Sequence, residues 1–281
     1  LPTRLVQSQG RLYLGTQYWG VFVGDGGGWR WLCDEAINGF ALHELYGGRD
    51  GTLYATDFPG LSVSYDGGCT FESVSGPVAG LLLNGLATDP GAGLERRVYV
   101  SGTGEGVSGA IYRSDDAGRS FVAVRAADPA EDPSPHLMRG IAVATDGRIH
   151  VLVDVGVQQD QPVVYTSRDG GQRFATTVLA PLPKGVEPGR SRILGADPRD
   201  PAVVYVALAG DIDQVLLRVD TARGETRELL RVASYIFDVA VDRARDRLQV
   251  ATVQGLYLGD GAGPLMKSPG IAQAQCLLMN G

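Results

Sequence analysis

Lysine is almost missing from this 281-residue chain: Lys184 and Lys267 stand against 23 arginines. That imbalance points to a GC-rich genome rather than to a function. No basic stripe is present and the net charge is −7, which excludes the phosphate-neutralising surface that nucleic acid binding needs. Cysteine is equally scarce. Cys33, Cys69 and Cys276 have no paired C-x-x-C spacing, so the usual zinc sites are excluded. The three histidines, His43, His136 and His150, show no ligand-like spacing, and no G-x-S-x-G or H-E-x-x-H motif occurs. Neither metal nor cofactor is expected. No apolar run approaches the roughly 20 residues of a membrane helix, so no membrane span is expected either.

Glycine, by contrast, is abundant. Forty residues are Gly and 15 are Pro, spread along the chain. Each interior Gly costs a helix roughly 1 kcal/mol against Ala, so this composition predicts short strands joined by tight turns. Hydrophobic residues make up 44%, enough for a large core.

A repeat organises the chain. Ser64-Tyr-Asp66-Gly-Gly68-Cys-Thr70-Phe71, Ser114-Asp-Asp116-Ala-Gly118-Arg-Ser120-Phe121 and Ser167-Arg-Asp169-Gly-Gly171-Gln-Arg173-Phe174 follow Ser-x-Asp-x-Gly-x-Thr/Ser-aromatic, with Arg173 the single departure. The pattern is hairpin-turn chemistry. Asp accepts backbone N–H groups, Gly supplies positive φ, the hydroxyls satisfy remaining turn groups, and the aromatic ring anchors the turn.

These segments resemble the Asp-box, or bacterial neuraminidase repeat, of β-propellers such as sialidases, sortilin-type receptors and photosystem assembly factors. The resemblance implies a structural turn between the third and fourth strands of each blade. Degenerate copies then stand out at Asp25, Asp220 and Asp260, with Gly27, Gly224 and Gly263 as relatives of the repeat glycine. The six Asp positions recur near the 40–50 residues of a four-stranded blade. The chain is therefore read as a single all-β domain, 1–281, a six-bladed propeller with inner strands near 3–8, 41–46, 82–88, 140–145, 192–197 and 236–241. Apolar runs such as Val203 to Ala207 suit strands held between neighbouring blades. A last strand-like segment, Ile271 to Leu278, either closes the ring or opens an incomplete seventh blade.

The sialidase signature fails. Thr3-Arg4-Leu5-Val6 lacks the Ile-Pro that follows the family's first arginine, and Ser191-Arg192-Ile193-Leu194 comes too late. Gly104-Glu-Gly106-Val-Ser-Gly109 fits G-x-G-x-x-G but leads into a strand, so no helix N-terminus receives a pyrophosphate. In a propeller the loops between second and third strands, and those between blades, share one face. That face should hold Asp34, Glu35, Glu105 and Asp160, and the candidate ligand-binding residues Trp19, Asp57, Phe58, Asp154, Asp211, Asp213 and Tyr235. Acids beside aromatics suit sugars, cationic peptides or a metal ion, against the plainer reading that an acidic protein has acidic loops; paired acids also suit glycoside hydrolysis.

The leading expectation is an exported, non-enzymatic binding or scaffold module, monomeric, with an unknown protein or glycan ligand. The alternative is a glycan-active hydrolase or lyase using carboxylates at the channel mouth. A secreted, periplasmic or cell-surface location is expected, since Asp-box propellers are common there and the chain starts at Leu1 without Met. In an oxidising compartment Cys33 and Cys69 could pair, leaving Cys276; buried free thiols are the other reading.

Overall fold

The structure, a computed structural model, describes residues 2–16, 20–24, 27–32, 44–57, 60–104, 107–126, 136–155, 161–179, 181–210, 212–243 and 245–269. The chain divides into two compact units, Leu1–Ala126 and Ala127–Gly281. Each contains three four-stranded antiparallel meanders, giving a six-bladed all-β propeller. No helix occurs among the described residues.

In the first unit, blade 1 is β1 (Pro2–Ser8), β2 (Arg11–Thr16), β3 (Gly20–Gly24) and β4 (Trp29–Leu32). Blade 2 is β5 (Glu44–Gly47), β6 (Leu53–Asp57), β7 (Gly60–Ser64) and β8 (Glu72–Ser73). Blade 3 is β9 (Leu82–Thr88), β10 (Val98–Gly104), β11 (Val107–Ser114) and β12 (Val122–Ala126). In the second unit, blade 4 is β13 (His136–Val143), β14 (Ile149–Val155), β15 (Gln161–Ser167) and β16 (Ala175–Val178). Blade 5 is β17 (Val186–Ala196), β18 (Val203–Gly210), β19 (Gln214–Asp220) and β20 (Glu225–Val232). Blade 6 is β21 (Ile236–Asp242), β22 (Arg247–Thr252), β23 (Gly255–Gly259) and β24 (Met266–Lys267).

The expected inner strands are found, with β13 and β17 starting earlier than the hydrophobic pattern suggested. Gly104, at the end of β10, pairs with Val107, at the start of β11, so a strand and not a helix follows the Gly-rich segment. The segment Ile271 to Leu278, on which a seventh blade would depend, lies outside the described residues.

Side-chain alternation explains the apolar runs. On β18, Val203 and Tyr205 pack with Val239, Val241, Leu248 and Val250 of blade 6. Val204, Val206 and Leu208, on the other face, pack with Leu152, Val164 and Leu179 of blade 4. The first unit repeats the scheme. Tyr13, Val21, Val23 and Leu32 of blade 1 meet Leu45, Leu53 and Phe71 of blade 2. Tyr54, Leu61 and Val63 of blade 2 meet Leu86, Val98 and Val100 of blade 3. A strand apolar on both faces is thus what a blade with two neighbours requires.

The three Ser-x-Asp-x-Gly segments join third to fourth strands and share one hydrogen-bond pattern. Ser64 Oγ donates to Asp66 Oδ1 at 2.8 Å and accepts from the Gly68 amide at 2.8 Å. Thr70 donates its amide to Asp66 Oδ1 at 3.0 Å and its hydroxyl to Oδ2 at 2.7 Å. Ser114, Asp116, Gly118 and Ser120 repeat all four bonds within 2.6–2.9 Å. Ser167, Asp169 and Gly171 keep three of them, because Arg173 has an amide but no hydroxyl to offer. Gly68, Gly118 and Gly171 take φ of +92, +85 and +96°. Phe71 and Phe121 are buried, while Phe174 rests edge-on against Tyr165 with ring centroids 6.4 Å apart.

Asp220 and Asp260 carry Arg218 and Leu258 where Ser stands; Asp220 accepts the Ala222 and Arg223 amides and the Arg223 guanidinium, and Asp260 accepts the Ala262 and Gly263 amides. Asp25 lies outside the described residues.

Candidate functional site

A meander places the connections between second and third strands, and those between blades, at the end opposite the Asp turns. In the second unit this end is described at 181–185, 212–213, 233–235 and 253–254. The loops there are tied together. Arg231 Nη1 donates to Asp213 Oδ2 at 2.9 Å and to the Lys184 carbonyl at 3.2 Å. The Ile236 amide donates to Gln214 Oε1 at 2.8 Å, and the Val253 amide to the Tyr235 carbonyl at 3.1 Å. Gln254 Nε2 reaches the Ala233 carbonyl at 3.3 Å.

Tyr235 is the fixed point of this rim. The guanidinium of Arg192, from β17, lies 4.4 Å from its ring centroid, and Phe237 meets it edge-on at 5.1 Å. Arg192 Nη2 also donates to the carbonyls of Ile236 and Phe237. Phe237 is the extra residue in a break of register between β21 and β22, and such bulges re-aim side chains. Tyr235 remains 42% exposed, and Ile212 and Val253, in other loops at this end, are 85% and 42% exposed.

Asp154 does not sit in the loop where the sequence reading put it. It belongs to β14 and is fully buried. Arg139 Nε donates to its Oδ2 at 2.5 Å and Ser191 Oγ to its Oδ1 at 3.0 Å. Desolvation raises the carboxyl above its ordinary range, and the bonds from Arg139 and Ser191 offset only part of that. Arg139 lies in a register break of β13, and Ser191 ends another in β17. Two bulged inner strands therefore converge on one carboxylate and bind blade 4 to blade 5.

Of the other candidates, Asp57 ends β6 with its side chain outside the described set, and Asp213 is held by Arg231. Trp19, Phe58 and Asp211 lie outside the described residues, as do Asp34, Glu35, Glu105, Asp160, Cys33, His43 and Cys276. Cys69 is an exposed free cysteine. His150 is buried between Thr166 Oγ1 at 3.0 Å and the Pro201 carbonyl at 2.9 Å, and desolvation pushes it down to about 4. It is a neutral structural residue at pH 7.

The first unit contains a cluster that the sequence reading missed. Arg4 of β1 pairs with Glu44 of β5 at 3.2 Å and lies 4.4 Å from the Tyr46 ring centroid. The Tyr46 hydroxyl donates to Glu44. Burial, then the Glu44 charge, raise the phenol well above its ordinary value, so the hydroxyl stays protonated and is no nucleophile. The only sequence hint was that Arg4 and Glu44 occupy corresponding inner strands. Among the described residues, no group of three or more His, Cys, Asp or Glu side chains could hold a metal ion.

No family model matches the chain, and no curated protein matches its sequence. Its fold is shared with solved structures. The extracellular domain of BT4673 from B. thetaiotaomicron aligns with TM-score 0.69 and 16% identity, over 98% of this chain and 34% of that one. The chain therefore spans about a third of that domain's length. YCF48 bound to D1 peptide aligns with TM-score 0.59 and 14% identity, over 96% of this chain and 83% of the other. XC5397 from Xanthomonas campestris, a gluconolactonase, aligns with TM-score 0.56 and 14% identity, over 94% and 86%. At these identities what the chain has in common with them is the β-propeller fold.

Proposed function

We propose that the chain is a single Asp-box propeller domain that acts outside the cytoplasm as a non-enzymatic binding module, taking a protein segment on its loop-bearing face. One observation carries this reading. The described candidate acids of the second unit, Asp154 and Asp213, are already bound to Arg139 and Arg231, whereas Tyr235, Ile212 and Val253 are exposed on a rim fixed by hydrogen bonds. Glycoside hydrolysis needs two carboxylates free to exchange protons with substrate. Recognition of a polypeptide needs apolar and aromatic anchors displayed at little entropic cost. The shared turn pattern supports the Asp-box reading, and a solved structure of similar fold, YCF48, is bound to D1 peptide, which is consistent with a peptide ligand. The extracellular neighbour supports export.

Panning the chain against a phage-displayed random peptide library tests the proposal. Enrichment of peptides with apolar anchors is expected, with binding lost in Tyr235→Ala and Ile212→Ser. No enrichment, or turnover of a glycoside panel that Asp213→Asn abolishes, would reverse the assignment.

A further inference from the structure

Near the start of the second strand, four blades set a tyrosine between apolar residues: Leu12-Tyr13-Leu14, Leu53-Tyr54-Ala55, Val98-Tyr99-Val100 and Val204-Tyr205-Val206. Blade 4 reads Ile149-His150-Val151 instead. His150 is fully buried, and its Nε2 lies 2.9 Å from the carbonyl of Pro201, in the turn between β17 and β18 of blade 5. A carbonyl only accepts, so Nε2 carries the ring proton at neutral pH. Nδ1, with its lone pair, accepts from Thr166 Oγ1 at 3.0 Å. One neutral ring thus ties β14 and β15 to the neighbouring blade.

A second proton has no good place in this arrangement. It would sit on Nδ1, against the hydroxyl hydrogen of Thr166, which is itself buried and would have to turn away. The charge would lie in the core, repelled by Arg148 and Arg168 and attracted only by Asp146. Asp146 is already paired with Arg148 at 2.8 Å. The acids of the adjoining turns are engaged as well. Asp169 is held by Ser167 and the Arg173 amide, Asp200 by the Ala202 amide, and Asp220 by Arg223.

The seam between blades 5 and 6 is built differently. Tyr205 donates to Asp197 Oδ2 at 2.6 Å, and Arg199 bonds the same carboxylate, Asp246 and the Asp260 carbonyl. Burial alone would raise the Asp197 carboxyl, but Arg199 and Tyr205 hold it below its ordinary range. That seam keeps its charges in mild acid.

We propose that His150 is an acid-sensitive latch: when its ring takes up a second proton, the blade 5 turn around Pro201 is released from blade 4. Burial, the largest effect, holds the ring down to about 4, against about 6.5 for a free imidazole. A depressed folded value means that the latch is fully closed above about pH 6.5 and loses its hold as pH falls towards 4. The seam between blades 4 and 5 therefore opens in milder acid than the seam between blades 5 and 6.

Hydrogen exchange of the intact chain at about pH 7.5 and about pH 5, corrected for intrinsic rates and read by mass spectrometry, tests this. Amides at 146–150 and 200–204 should open about tenfold or more as readily at the lower pH, with a ceiling of about thirtyfold if the open ring titrates freely. Those at 242–249 and 257–262 should change less. His150→Gln cannot take up the proton and should abolish the acid effect, with a thermal melt at neutral pH to establish that it is folded. His150→Tyr, which restores the residue of the other blades, serves as a second neutral variant. Equal opening at the two pH values, an equal rise in every segment, or an undiminished rise in a folded neutral variant overturns the proposal.

Discussion

The Ser114 hydroxyl gives its proton to Asp116 at 2.7 Å and receives the Gly118 amide at 2.8 Å, so one small side chain bridges both halves of a turn. Ser114 is buried, and removing its oxygen leaves the Gly118 amide without a partner. Ser114→Ala should therefore destabilise the protein by about 1–3 kcal/mol. The third copy offers the opposite experiment. Asp169 lacks only the hydroxyl bond, and Arg173→Thr supplies it, with an expected gain of about 0.5–1.5 kcal/mol. Urea unfolding of both variants measures the two signs.

The same turn makes stability fall in acid. Burial alone would raise the Asp116 carboxyl, but the bonds from Ser120, Ser114 and backbone amides outweigh it and hold the group at about 2. In the unfolded chain it titrates near 3.9. A depressed folded value means that the contribution is complete above the unfolded value and is lost as pH falls from about 4 towards 2. Melting temperatures across that window should drop less steeply in Asp116→Asn than in the wild type.

The Asp turns, the blade count and the two-faced strands were legible because they are local. A hairpin states its chemistry within eight residues, and a sandwiched strand within five. What lay beyond reach was the coupling between repeats. Nothing near Arg139 indicates that it closes on Asp154, or near Arg192 that it lies under Tyr235, because β-bulges aim these side chains and bulges leave no periodic mark. The sequence reading counted Asp154 among exposed loop acids for the same reason: a polar residue at a strand end looks like a loop residue until its partner, 15 positions away, is known.

Glycine 68 shows a coupling that the repeat alone conceals. Beyond its φ of +92°, a Cβ there would stand 2.5 Å from Leu32 Cδ1 and 3.4 Å from Leu53 Cδ1, so the turn of blade 2 is pressed against blade 1. Gly76 has a similar φ of +87° but open space around it. Gly76→Ala should cost about 1 kcal/mol, the backbone strain alone. Gly68→Ala should cost about 2–4 kcal/mol, since overpacking adds to the strain. Equal losses in the two would mean that the turn does not clasp its neighbour.

Asp154 and Arg139 decide what kind of site the second unit holds. A buried pair is weak evidence for stability, but breaking it leaves a charge with no partner. Asp154→Ala strands the Arg139 guanidinium and should cost about 3–5 kcal/mol, whereas the double variant Asp154→Leu/Arg139→Met removes both charges and should lie within about 1–2 kcal/mol of the wild type. If the pair is purely a clasp between blades 4 and 5, the double variant keeps every binding property of the loop face, because Tyr235 is held by Arg192 and Phe237 and not by Asp154. A double variant that is folded yet fails to bind the peptides selected by the wild type would instead make this carboxylate part of the recognition surface. Denaturant titration and peptide affinity measured on the same preparation separate the two outcomes.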